Sequence, residues 1–302
     1  MRPRTLGKIV TGLAAAMLVV LGGTGAATAR GSGVEFTLRP SPSAGGLITA
    51  VELDRSAAIM RNRLARLGDH GTVARRSTLI VIRLDATVSA ARKQIALITQ
   101  RGAIEFYDRE PSLLPPSIGA GREPVASTNL SALRRAKSAA SGRALIVSCD
   151  AATAVVCPGA NGGVLPTRGK TYYYLLKNDP ALDGNDLIPS ATRAGHDPAT
   201  GVAIVSIQFT QDGERAFHAV TRAEAVRGQT LGTPQHVAIV VDDHLRSFPA
   251  IDYTTNPDGI NPTTGAEITG LSSTGAAKHL AAVLRTGELP LHFVTVSERP
   301  LR

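Results

Sequence analysis

The sequence predicts an α+β fold: a ferredoxin-like base built as a split β-α-β unit, a second α+β lobe after it, and one N-terminal hydrophobic segment before it. Three observations predict this. Residues 47–107 alternate short aliphatic runs with two helical periods in the order β-α-β-β-α-β, in which two crossovers around a central hairpin lay two helices on one sheet face. Residues 172–296 resume a mixture of strands and helices after a Pro-, Gly- and Ser-rich stretch. Residues 9–27 form an uncharged run flanked by Arg2, Arg4 and Lys8 on one side and Arg30 on the other.

In chain order, residues 31–43 read as an extended lead-in, and Gly45-Gly46 opens a strand at Leu47–Val51. Leu53, Ala57, Met60, Leu64 and Leu67 recur at helical spacing, with Arg55, Arg61, Arg63 and Arg66 mostly on the opposite face. Gly68 stops that helix. A strand around Val73 turns at Arg76-Ser77 into Leu79–Leu84; a second helix carries Val88, Ala91, Ile95 and Ile98 and stops at Gly102. Ala103–Tyr107 then reads as the fourth strand of the base.

From Pro111 to about Gly169 the chain reads as loops with one short helix near Leu130–Ala140. Order resumes with strands at Tyr172–Leu176 and Val202–Phe209; Ala203, Val205, Ile207 and Phe209 face a core. Thr210 or Asp212 caps a helix through Phe217 and Val220. A hairpin pairs Val237–Val241 with Leu245–Phe248 across Asp242-Asp243-His244. Ser272 or Ser273 caps a last helix carrying Ala277, Leu280, Ala281 and Leu284, Gly287 ends it, and Leu291–Val296 is a terminal strand.

The N-terminal run is a secretory signal or a membrane anchor: Ala27-Thr28-Ala29 suits cleavage after Ala29, and the run at 9–27 is nearly long enough to span a bilayer. Under either reading the charge asymmetry places the rest of the chain outside the cytoplasm. Cys149 and Cys157 are the two cysteines, and in an oxidising compartment a disulfide leads; it would contribute about 2.5 kcal/mol by loop-closure entropy. The formal charge is +9, but the basic excess beyond residue 30 is spread in singles and pairs, with no basic stripe interleaved with aromatics, so nucleic acid is not an expected partner. The seven histidines are scattered and neither cysteine stands at zinc spacing, so no metal or other cofactor is expected.

Three stretches carry a family resemblance. IMRNRLARLGDHGTVARRSTLIVIRL with IALITQRGAIEFYD, then YYYLLKNDPALDGNDLIPSA with VAIVSIQFTQDGERAFHAVT, and finally VAIVVDDHLRSFPAI with ITGLSSTGAAKHLAAVLRTGELPLHFVTVSERPL resemble the first extracytoplasmic domain of SecD, the auxiliary subunit of the bacterial preprotein translocase. The resemblance covers nearly all of residues 47–302 outside the Pro-rich segment, where the cysteine pair is similar to that of actinobacterial members. It implies a head subdomain inserted into the base. The organisation it implies is 1–30 signal peptide or anchor, 31–110 base, 111–168 insertion with the cysteines, 169–272 head, and 273–302 the closing helix and strand of the base.

Asp242, Pro249, Ile268, Gly270, Gly287, Leu289 and Pro290 are the positions that match the family motifs, and Asp243 stands where members commonly have Gly. The resemblance further implies an accessory of protein export that binds unfolded secretory polypeptide without catalysis, beside the translocon or SecF-like membrane subunits. The alternative is a SecD-derived secreted or surface scaffold no longer coupled to translocation. The sequence ends at Arg302, where the family would enter its second span, so this stretch is expected to lack the residues that couple proton flow to movement. No enzyme is expected. Adjacent Asp242 and Asp243 read as turn formers, the glycines at 265, 270, 275 and 287 lack the endings of a phosphate loop, and no Gly-x-Ser-x-Gly elbow occurs.

Overall fold

Alternation and capping decide the first lobe. The computed structural model describes residues 33–41, 47–120, 123–160 and 163–301, so the N-terminal hydrophobic run and Gly45-Gly46 lie outside the described residues. Strand β1 (Val34–Ser41) buries Val34, Phe36 and Leu38 on one face. Predicted as a lead-in, it is a full strand, because every second residue can sit under the helices. The predicted strand at Leu47–Val51 does not form: Thr49 and Glu52 make a capping box and start helix α1 (Ala50–Leu67), leaving Leu47 94% exposed. Hairpin strands β2 (Gly71–Arg76) and β3 (Leu79–Leu84) follow, then α2 (Val88–Ile98), which ends at Thr99 rather than Gly102.

The strand predicted to close the base forms as β4 (Ile104–Asp108), but it pairs in a different sheet. It leads through α3 (Arg109–Ser112) and α4 (Leu130–Ala139) to β5 (Ala144–Cys149), β6 (Val156–Pro158), β7 (Val164–Pro166) and β8 (Tyr172–Lys177). The stretch read as loops thus holds three strands. Leu145, Val147 and Cys149 on one face of β5 and Ala144 on the other are buried, so this six-residue run is covered on both sides. The remaining elements are β9 (Leu182–Asp183), β10 (Arg193–His196), β11 (Ala203–Ile207), α5 (Gln211–Leu231), β12 (Gln235–Val241), β13 (His244–Ser247), β14 (Ala250–Ile251), β15 (Ala266–Ile268), α6 (Thr274–Thr286) and β16 (His292–Pro300). Thr210 caps α5 and Ser273 caps α6.

Strand β16 returns to the first lobe and pairs antiparallel with β1, giving the order β16-β1-β3-β2, the split β-α-β arrangement with its fourth strand supplied from the far end of the chain. Its core joins Phe36, Met60, Ile82, Ile98 and Leu289. The second lobe has a sheet ordered β8-β5-β13-β12-β4-β9, with β14 paired to β12, and a three-stranded sheet ordered β10-β11-β15. Phe106, Val205, Phe209, Phe217, Ile239 and Ile268 share its main core with Ala277, Leu280, Ala281 and Leu284 of α6. Phe209 stacks on Phe217, 4.7 Å between ring centroids, and meets Phe106 edge to face at 6.0 Å. Helix α6 also packs against α1, so it lies between the two lobes. Among the described residues no helix is long and apolar enough to cross a membrane.

Candidate functional site

Two short strands on facing edges of the second lobe leave a cleft. Strand β14 pairs with β12 alone and β15 with β11 alone, so among the described ladders each has an open side. Between them lies a cavity of about 320 Å³ walled by Phe217 of α5, Val237 and Ile239 of β12, Pro249, Ile251, Ile260 and Ala266. Pro249 also borders a second cavity of about 160 Å³, lined by Arg246, Ser247 and Phe248, by Thr269 and Gly270, by Ala154 and Val155 of the loop between β5 and β6, and by Val156 at the start of β6.

Local chemistry fixes each wall. Cys149 and Cys157, both fully buried, are joined by a disulfide across a sequence separation of 8, which ties the loop that carries Val155. Val155 N–H donates to Gly270 O at 3.0 Å, so this loop is pinned to the segment after β15. Gly265 precedes β15 at φ 76°, and a Cβ there would lie 2.1 Å from Ile207 O, which only glycine avoids. Arg246 is the charged group of the smaller cavity. Burial lowers its pKa, the charges of Asp242 and Asp150 oppose that, and its Nε has no hydrogen-bond partner among the described residues. The Arg246 guanidinium, bordering apolar walls near two open strand edges, suits the carbonyls of an extended chain.

The predicted positions separate into two groups. Pro249 and Gly270 belong to the cleft, Pro249 bordering both cavities and Gly270 the smaller one, while Ile268 is buried in the core with Phe217, Ile239 and Ile251. Asp242, Gly287, Leu289 and Pro290 lie instead where the chain passes between the lobes. Asp242 and Asp243, at φ 54° and 62°, form the two-residue turn between β12 and β13, and His244 is already in β13. Asp242 Oδ1 accepts from Ala103 N–H at 2.9 Å, and Asp242 N–H donates to Ala103 O at 3.0 Å. This carboxylate fastens the hairpin tip to the α2–β4 connection.

Sequence reasoning missed Arg63, which it placed on the polar face of α1. The side chain is fully buried. Its Nη1 donates to Ile98 O and Gln100 O, its Nη2 to Arg101 O at 3.2 Å and Gly287 O at 2.8 Å, and its Nε to Thr286 Oγ1 at 3.0 Å. Burial lowers its pKa to about 10, against the attraction of Asp242. The signal lay in the sequence: position 63 is three residues from Met60 and seven from Ser56, both buried, so a charge stands on the inward stripe.

A second buried ionic group underlies β12. Glu110 accepts from His236 N–H at 3.0 Å, lies 2.9 Å from His236 Nδ1 and pairs with Arg109, whose guanidinium sits 5.8 Å from the Phe248 ring centroid. Burial pushes the Glu110 pKa up, but His236 and Arg109 outweigh it and the net shift is downward. Among the described residues no group of three or more His, Cys, Asp or Glu could hold a metal ion.

Comparison with known proteins places this geometry in context. Residues 163–291 match the family model described as SecDF, P1 head subdomain. The chain is 24% identical over 251 residues, 83% of its length, to protein translocase subunit SecDF of Brucella abortus, covering 26% of that protein. It is 29% identical over 126 residues to SecD of Acidaminococcus fermentans and 33% over 146 residues to SecD of Endomicrobium trichonymphae, covering 41% and 48% of this chain. It spans about a quarter of the length of these curated relatives, 26% of the first and 27% of the second. Among solved structures, SecDF in a super-membrane-facing form aligns with 89% of this chain and 30% of that one at TM-score 0.56 and 22% identity. A chain from a study of SecDF as a membrane component that enhances protein export is covered completely, with 88% of this one, at TM-score 0.54 and 22% identity. The family model and the curated relatives make this chain similar in sequence to SecD and SecDF subunits, and the solved SecDF structures share its fold.

Proposed function

We propose that this protein is a SecD-like accessory factor of protein export, which holds unfolded preprotein on the extracytoplasmic side of the membrane without catalysing any reaction. The observation that carries the reading is the cleft between β14 and β15. An extended segment entering it pairs its main chain with an open strand edge, seats an apolar side chain against Phe217, Ile239 and Ile251, and offers a carbonyl to Arg246. Main-chain pairing with shallow apolar seats accepts many sequences, as a factor that meets every exported chain requires. The relatives are subunits of the protein translocase, which supports a role in translocation, and association with the translocon or a SecF-like membrane subunit belongs to the same proposal.

Hydrogen exchange on the full chain, with and without an unfolded secretory polypeptide, tests it. Protection is expected at amides of 250–251 and 266–268, and Arg246→Met is expected to weaken binding about tenfold, the share of one charge-assisted hydrogen bond. Binding that leaves these amides unprotected, or no binding at all, overturns the reading. Recovery of the chain free in the medium and without translocon subunits would favour a scaffold role instead.

A further inference from the structure

The basic excess beyond residue 30 falls in one segment of the chain, and the fold brings part of it together. Between Pro111 and Lys177 there are eight, Arg122, Arg134, Arg135, Lys137, Arg143, Arg168, Lys170 and Lys177, against two acids, Glu123 and Asp150. The rest of the chain from Gly31 onward carries 21 bases and 22 acids, so the whole basic excess resides in this one segment. From 124 to 149 there is no acid at all.

Five of these bases converge. Helix α4 buries Leu133 against Ala144 and Leu175, which puts Arg134 and Arg135 on its exposed side and Lys137 half-buried at its flank. The turn after α4 carries exposed Arg143, whose carbonyl accepts from Asn178 N–H at 3.0 Å, and Lys177 is the ladder partner of Ala144. Among the described residues none of the five takes part in an ion pair, although nine pairs occur elsewhere. Around them stand small residues, Ser131, Ser138, Ala139, Ser141 and Gly142, and no exposed aromatic.

We infer that this face docks on an anionic phospholipid surface. Bases that make no ion pair, with exposed Asp179 the nearest acid in sequence, attract negative charge, and the neighbouring residues decide the kind of partner. A fixed protein partner is gripped by aromatic anchors in pockets, which this face lacks. A headgroup layer rearranges to meet a smooth array of charges, each contributing on the order of 1 kcal/mol near the surface, and needs no pocket. Docking would hold the β5–β8 edge of the second lobe toward the bilayer, an arrangement separate from whatever occupies the cleft.

The chain contains no Trp, so Ser138→Trp gives a single reporter on α4. In the full chain, its fluorescence is expected to be quenched by brominated lipid in vesicles containing phosphatidylglycerol, and restored by 0.5 M salt, which shortens the Debye length to a few ångströms. Replacing Arg134, Arg135 and Arg143 by Gln in that background should weaken the effect about 100-fold. Arg55→Gln with Arg66→Gln on α1 should leave it unchanged. Equal quenching in phosphatidylcholine vesicles would mean that the N-terminal hydrophobic run alone holds the chain there and would overturn the inference. So would absence of quenching, or displacement from vesicles by polyglutamate at concentrations at which vesicles do not compete, which would assign the face to an acidic polypeptide.

Discussion

Glu224 lies on the inner side of α5, fully buried, and neither carboxylate oxygen has a hydrogen-bond partner among the described residues. Burial pushes its pKa up to about 10, and the neighbouring charges of Asp108 and Glu110 add to the shift against the attraction of Arg227 and Arg109. A folded-state pKa above the unfolded value means that the group does not oppose folding below about pH 4.5 and opposes it increasingly as pH rises toward 10. At pH 7 the cost is on the order of 3 kcal/mol, at about 1.4 kcal/mol per pH unit. Glu224→Gln is therefore expected to raise stability at pH 7 by 1 kcal/mol or more. Urea titrations at pH 4.5 and 8 check it: the two proteins should converge at the lower pH, and an equal difference at both would refute the assignment. Glu224 and Arg63 were legible in the same way, as charges at helical spacing on an apolar stripe. The hydrogen-bond partners of Arg63 were not, because those come from segments more than 30 residues away.

At the scale of elements, local signals were read correctly where one face of a helix or strand is buried. The stripes of α1, α2 and α6 and the odd-numbered face of β11 lie in the cores. Errors fell where chemistry overrides period: Thr49 and Glu52 turn an apparent strand into a helix start, and β4 has strand character that cannot reveal which sheet it joins. The cleft was legible only as two family positions, Pro249 and Gly270, since its walls come from β12 to β15 and from the loop after β5. That loop is an element whose order depends on one bond. Replacing Cys149 and Cys157 together by Ala is expected to lower stability by about 2.5 kcal/mol from the nine-residue loop it closes. It should also speed exchange of the Val155 amide, which is held by Gly270 O, well beyond what the global loss explains. Unchanged exchange at Val155 would show that the loop holds its wall without the crosslink.

For the whole molecule, the chain crosses from the first lobe to the second between α2 and β4, and back between α6 and β16. Neither 110–168 nor 265–273 joins the lobes: residues 113 and 127 bridge to β8, and Ala266–Ile268 is a strand of the second lobe. Both true crossings meet at Arg63, which holds Gln100 and Arg101 of the outward path and Thr286 and Gly287 of the return, while Leu289 N–H donates to Arg101 O at 2.7 Å. One guanidinium thus serves the C-terminal ends of two helices, α2 and α6, and removing it strands carbonyls of both at about 1–3 kcal/mol each. Arg63→Met should therefore cost at least 3 kcal/mol and uncouple the lobes, so that calorimetry resolves two transitions where the parent chain has one. Met60→Ala, a core truncation of similar cost at a residue that makes none of these hydrogen bonds, separates coupling from mere stability. If both variants melt in one transition at the same lowered temperature, Arg63 is a core residue like any other and the lobes are joined by the α6–α1 packing instead.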